Sequence, residues 1–184
     1  GSSSLWNPMM TGGPGLLDGV DYGDATPFSV TIFHSGGAGA RPWRDGLSAT
    51  AFPSGVRNTP VEITESIAPV IFHRKELRPG SGGAGRYRGG HGQSIEVAHA
   101  QNAPFAIFAL FDRVDYPARG RNGGADGAPG VIRLASGKIL KTKGKQIIPA
   151  GEHLVMELPG GGGYGDPAER ESDLRQRDQD NDID

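Results

Sequence analysis

Cysteine is absent from this 184-residue chain, which excludes disulfide scaffolds, thiolate zinc sites, iron–sulfur clusters and cysteine nucleophiles together. Long apolar runs are also missing. No stretch approaches the ~18 residues that a membrane span needs, and residues 1–4 lead into no signal-like apolar segment. Nor is there an excess of charge of one sign. Nineteen basic against 21 acidic residues leave a net charge of −2, which speaks against a strongly basic nucleic-acid surface. Hydrophobic residues make up only 35%, thin for a domain that must bury its own core. The expectation is a cytoplasmic, turn-rich, β-leaning chain that forms part of something larger.

Glycine (31) and proline (14) are abundant. Together they are about a quarter of the chain, a level that approaches the compositions of disordered segments. The glycines are clustered, however, and apolar runs such as Phe105–Phe111 lie between the clusters. Residues 1–25 show neither helical nor strand period and read as an irregular arm. Strands are expected at Phe28–His34, Val70–Leu77, Gln93–Ala100, Phe105–Phe111, Val131–Leu134, Lys138–Leu140, Gln146–Ile148 and His153–Leu158. Alternation makes Gln93–Ala100 half-buried, whereas Phe105–Phe111 is apolar enough to be covered on both faces. A short helix is expected after Thr59 as N-cap, with Pro60 at its first position, and it cannot pass Pro69. Asp166-Pro167-Ala168-Glu169 marks a second helix start, leading into a charged segment to Asp178, with disorder beyond. The fold class is therefore mainly β, with long glycine-rich loops and one or two short helices. Three regions are expected: an arm (1–25), a β-rich body (26–167) and a charged helical or disordered tail (168–184).

Three glycine clusters carry or adjoin arginines: Gly36–Arg44, Ser81–Arg88 and Arg119–Gly127. Backbone N–H groups of such loops can converge on an anion, with Arg as bidentate donor. Tight turns and close backbone packing explain the same glycines, and composition favours that explanation. Phosphate fingerprints add nothing: Gly80-Ser81-Gly82-Gly83-Ala84-Gly85-Arg86 lacks the Lys-Ser/Thr ending of a P-loop, and no βαβ unit surrounds it.

The five histidines have no metal-ligand spacing. His91 stands out because it lies in a glycine-rich loop beside Arg86 and Arg88, where it could serve as acid–base or oxyanion partner. Asp45 and Glu62 are the carboxylates of interest. Capping and the helix dipole account for Glu62. For Asp45 an Asx-turn or a salt bridge to Arg41 or Arg44 competes evenly with a functional role. No serine, Ser54 included, sits in a nucleophile elbow.

Several motifs in order resemble the hydantoinase B/oxoprolinase family. They are Gly36-Gly37-Ala38-Gly39-Ala40-Arg41-Pro42, Asp45-Gly46-Leu47-Ser48-Ala49-Thr50-Ala51-Phe52-Pro53-Ser54-Gly55, Asn58-Thr59-Pro60-Val61-Glu62, Leu77 through Gly90, and Leu158 through Pro167. The resemblance covers most of Phe28 to Pro167, whereas the first 25 residues match poorly. It implies the C-terminal part of a larger α+β subunit, within an ATP-dependent system. In such systems a hydantoinase A-type partner holds ATP and Mg2+ and phosphorylates a carbonyl or enolate oxygen. The B-type subunit then completes ring-amide hydrolysis, or carboxylation in the acetone and acetophenone carboxylases. Any divalent metal would belong to the N-terminal portion of the B-type subunit, so none is assigned to this chain. Within the family motifs, Arg41, Arg86 and Arg88 are expected to bind the anionic intermediate, and Asp45 or His91 to position water. A non-catalytic scaffold role is the competing expectation.

Overall fold

The computed structural model describes residues 1–17, 19–50 and 58–181. Strands β1 (Leu5–Trp6), β2 (Met9–Gly12), β3 (Phe28–Thr31) and β4 (His34–Ser35) precede helix α1 (Val61–Ile67). Strands β5 (Val70–Leu77), β6 (Gln93–His99), β7 (Phe105–Leu110), β8 (Val131–Leu134), β9 (Lys143–Ile148) and β10 (Leu154–Glu157) follow, and helix α2 (Ser172–Asp180) comes last. Two four-stranded antiparallel sheets run in the orders β5-β6-β10-β8 and β3-β2-β7-β9. Alternate residues of the two sheets meet in one core: Ile95, Val97, Leu154 and Met156 from the first, Met10, Phe105, Ile107 and Ile148 from the second. This is the period of two that pleated strands impose. Trp6 and Phe111 close one end, their ring centroids 4.7 Å apart.

Several expectations need correction. The first 25 residues are not an irregular arm: β2 lies between β3 and β7, with Met10 opposite Ile107. Leu17 and Tyr22 then cover the outer face of β7 over Ala103 and Ala106, so β7 is covered on both faces. Strand β6 is almost wholly buried rather than half-buried, including Gln93, Ser94 and His99. The α1 cap position belongs to Pro60, which caps with no side-chain hydrogen bond, and not to Thr59. Lys138–Leu140 forms only an isolated bridge, Ile139 to Arg133. Helix α2 continues past Asp178 to Asp180.

The glycine clusters form a third layer, organised around Gly160–Gly163. Successive N–H groups of this segment donate to the carbonyls of Ala128, Gly90, Gly1 and Ala125. Residues 160 and 163 thus bond to one neighbouring segment at positions three apart. Gly37 and Ala40 repeat the pattern on Pro159 and Gly162. A period of three in extended, laterally bonded backbone is that of a polyproline-II-like helix. None of Gly160–Gly163 has a positive φ. These glycines are required because a Cβ would meet a neighbouring backbone: Ser81 at 160, Ala38 at 161, Arg119 at 162 and Ala84 at 163.

Candidate functional site

The glycine layer does not form an anion cradle. Such nests need alternating αR and αL conformations with free N–H groups. Here the N–H groups of Gly37, Gly83, Gly89, Gly90 and Gly160–Gly163 are all donated to carbonyls of adjacent segments. Close backbone packing is what these glycines serve, and any chemistry at this layer must come from its side chains.

Those side chains converge at Asp45. The layer holds Gly46 by an N–H bond to the Arg88 carbonyl, which places Asp45 beside the Arg88 backbone. Asp45 Oδ1 accepts from the Arg88 backbone N–H at 2.8 Å and from Arg170 Nη1 at 2.9 Å. Its Oδ2 accepts from Arg170 Nη2 at 3.0 Å and Arg177 Nη2 at 2.6 Å. Burial pushes this carboxyl up, but the bonds from Arg170 and from the Arg88 backbone, with both guanidinium charges, outweigh it and hold the group below the usual carboxylate range. A second carboxylate, Asp178, is only 1% exposed and accepts from Arg170 at 2.5 Å and from Arg88 at 3.4 Å. The same two carboxylates hold the Arg170 guanidinium firmly charged: hydrogen bonding to Asp45 raises its pKa most, and Asp178 adds to this against desolvation.

Helix α2 exists because of this cluster. Leu174 is the one apolar side chain in its sequence Ser172–Asp180, so packing cannot hold a helix this short. Asp178 and Arg177 fasten it to the glycine layer instead, and Arg175 ties it to the carbonyls of Pro167 and Ala168. Removing one partner of a buried pair leaves an uncompensated charge and is far more damaging than the pair is stabilising. Arg170→Ala is therefore expected to release α2. Amide hydrogen exchange checks this: protection over residues 172–180 should collapse while the β6 and β7 amides exchange as in the wild type.

Between α2 and the loop at 43–47 lies a cavity of about 310 Å³, lined by Trp43, Asp45, Leu47, Tyr87, Arg88 and Arg177, among others. Of the residues expected at a site, the structure brings Asp45 and Arg88 together at this cavity. Arg41, Arg86 and His91 do not line this cavity. Arg41 is exposed on a tight turn closed by backbone bonds to Arg44, beside a separate hollow near Gly1. Arg86 lies 5.6 Å from the Tyr87 ring centroid and 4.0 Å from both Glu169 and Glu171. His91 is fully buried; its ring Nδ1 accepts from the Gly82 N–H at 3.2 Å, and its backbone N–H donates to Ser48 Oγ at 3.0 Å. With Nδ1 accepting, the neutral ring carries its proton on Nε2.

Sequence reasoning missed Arg170, Arg177 and Asp178. Their charge pattern looks like any solvated tail, and only the alternation of Arg and Asp after the Asp-Pro start hinted at a partner. Phe52, Pro53, Ser54 and Arg57 lie outside the described residues. Among the described residues no cluster of His, Asp and Glu could hold a metal ion, and no helix is long and apolar enough to cross a membrane.

The hydantoinase B/oxoprolinase family model matches residues 4–167, so the match takes in the N-terminal strands that the sequence motifs left out. Arabidopsis thaliana 5-oxoprolinase 1 is 35% identical over 156 residues, 82% of this chain and 12% of that protein. The ATP-dependent caprolactamase from Pseudomonas jessenii has the same fold, with a TM-score of 0.73 and 24% identity over 99% of this chain and 33% of its own. An acetone carboxylase superposes with a TM-score of 0.67 at 21% identity, over 98% of this chain and 28% of its own. The chain therefore spans about an eighth of the curated oxoprolinase and a third or less of the two solved chains. With the motifs, the mainly β architecture and the family match in agreement, this chain belongs to the hydantoinase B/oxoprolinase family.

Proposed function

We propose that this chain is part of an ATP-dependent amidohydrolase that opens a cyclic amide of the hydantoin, oxoproline or lactam type. The observation that carries this reading is the family match over residues 4–167, joined to an arginine-rich cavity at the family's own Asp45 motif. A hydantoinase A-type subunit would hold ATP and Mg2+ and phosphorylate the ring amide. The N-terminal portion of a B-type subunit would hold any divalent metal, since the described residues here do not fit one.

Within this reading, Arg88, Arg44 and Arg177 face a cavity partly walled by Trp43, Tyr87 and Leu47. These apolar side chains screen the Arg88 guanidinium from part of the solvent, which would strengthen its hold on an anionic intermediate, while Arg44 and Arg177 stay open to water. Asp45 is a fixed carboxylate whose lone pairs are already taken by Arg88, Arg170 and Arg177. It positions water only when the half-exposed Arg177 swings away. Arg41 and Arg86 lie outside this cavity and would attract anions only at longer range. His91 acts from behind, fixing Ser48 and Gly82 and through them the loops that carry Asp45 and Arg88.

The test is turnover of the complex reassembled with an A-type subunit, read as ADP released with 5-oxoproline and, separately, with a ketone and bicarbonate. Hydrolysis of the amide supports this reading, and turnover confined to ketone and bicarbonate makes the chain part of a carboxylase. Arg88→Ala should lower kcat at least tenfold, in line with the loss of one charge-stabilising donor, whereas Arg86→Ala, outside the cavity, should act on KM more than on kcat. Full turnover by both, in an intact complex, would leave this region a scaffold. The glycine layer, with its N–H groups consumed internally, is the observation that favours that second reading.

A further inference from the structure

Helix α1 is inside out. Its fully buried side chain is Thr64, whereas Ile63 and Ile67 are 53% and 68% exposed. They stand four residues apart, on one face of the helix. Ile71, a further four residues on and past the turn at Ala68–Pro69, is 41% exposed on the outer face of β5. A surface helix normally turns its apolar stripe to its own core. Single exposed apolar residues need no explanation, but three isoleucines on adjoining turns of chain constitute a patch.

The helix is nonetheless firmly seated. Glu65 Oε1 accepts from the Phe72 N–H at 2.8 Å, and Lys75 Nζ donates to the Thr59 carbonyl at 2.7 Å. Its outward face is therefore held in place rather than merely loose. Glu62 and Glu65 are exposed on the helix, while Arg74 and Lys75 lie on β5, Arg74 3.8 Å from Glu76, so the complementary surface is apolar at its centre with charges of both signs around it.

We infer that the Ile63–Ile67–Ile71 face is the seat of the polypeptide that precedes this region in a hydantoinase B-type subunit. This rests on the proposed function only for the identity of the partner. Length supports the assignment: this fold is 33% of the caprolactamase chain and 28% of the carboxylase chain. Two thirds of a subunit of that size has to pack somewhere. Elsewhere Leu110 on β7 and Ile139 beyond β8 are exposed on separate elements, and the exposed Trp43 and Leu47 belong to the cavity already described.

The test mixes this chain with the Arabidopsis thaliana 5-oxoprolinase 1 polypeptide deleted of its matched 156 residues, and measures retention by pull-down. Wild-type chain should retain it, and the Ile63→Glu/Ile67→Glu variant should bind at least tenfold more weakly with an unchanged circular dichroism spectrum and melting temperature. Leu110→Glu serves as the control and should bind as the wild type does. Equal retention by the double variant, or no retention by the wild type, overturns the assignment. So does a wild-type homodimer that the double variant abolishes, because the face would then seat a second copy. The readout is binding alone, so it stands or falls independently of whether the assembled enzyme hydrolyses amides.

Discussion

Replacing Gly161 with alanine is expected to abolish folding of the chain. A Cβ at this position would overlap the Ala38 carbonyl and crowd the Gly39 nitrogen, which are backbone atoms that no rotamer change can move. Gly161 also gives its N–H to Gly90 and its carbonyl accepts from Gly83, so it cannot withdraw without breaking two inter-segment bonds. Overpacking in a compliant core costs ~1–3 kcal/mol. Here the yielding element would have to be the whole layer, as at a collagen triple-helix axis, and the cost should exceed ~4 kcal/mol. Gly151→Ala is the informative contrast. It has a φ of 78° but only the Asn102 side chain near it, at 3.7 Å, so only the left-handed conformation is penalised, by ~1–2 kcal/mol. Urea denaturation followed by circular dichroism separates the two. A Gly161→Ala protein as stable as Gly151→Ala would mean that the layer is not close-packed.

That contrast bears on why some of this molecule was legible in its sequence. Strands β5 to β8 were readable because each carries its own signal: β-branched or aromatic residues bounded by Gly, Pro or Asn. The place of β2 was not. Met9-Met10-Thr11-Gly12 has no alternation, and its position between β3 and β7 is set by pairing with residues nearly a hundred positions away. The glycine clusters were visible but their geometry was not, because the period of three is shared among segments around residues 37, 83, 90, 125 and 161. Each segment alone looks like a turn. Likewise α2 has the composition of a solvated tail, and it is ordered by charges on other segments, Asp45 and Arg88. At the candidate site the motifs drew attention to Arg41, Asp45, Arg86, Arg88 and His91, of which only Asp45 and Arg88 share the cavity. They could not show that Arg170 and Asp178 complete the cluster, since that information is tertiary.

The glycine layer is held mainly by backbone hydrogen bonds, with Asp45 and His91 among its side-chain acceptors. A further buried histidine lies outside this layer and has no such bond among the described residues. His34 on β4 is fully buried, and among the described residues neither ring nitrogen finds a hydrogen-bond partner. It packs edge-on to Phe72, ring centroids 6.2 Å apart.

Acid should therefore unfold this protein earlier than its carboxylates alone would dictate. Burial, reinforced by the nearby Lys75 charge, pushes the His34 pKa from 6.5 down to about 3. The folded state resists taking up a proton that the unfolded chain binds readily. The sign follows: stability is complete above pH 6.5 and is lost as the pH falls from 6.5 towards 3. At 1.36 kcal/mol per pH unit, the full loss is about 5 kcal/mol. His99, also lowered by burial, adds to it in the same direction. Asp45 and Glu96 have depressed values too, but their contribution is lost only below the ordinary carboxylate range. Between pH 6.5 and 4.5 the slope thus belongs to the histidines. His34→Leu removes both unpaired nitrogens, so it should raise stability at pH 7 by ~1–3 kcal/mol. It should also flatten the decline between pH 6.5 and 4.5 by up to about 3 kcal/mol. Urea midpoints at pH 7, 5.5 and 4.5 decide the matter. Parallel pH profiles for the two proteins would show that His34 is protonated in the folded state, and that β4 opens to water without unfolding the sheets.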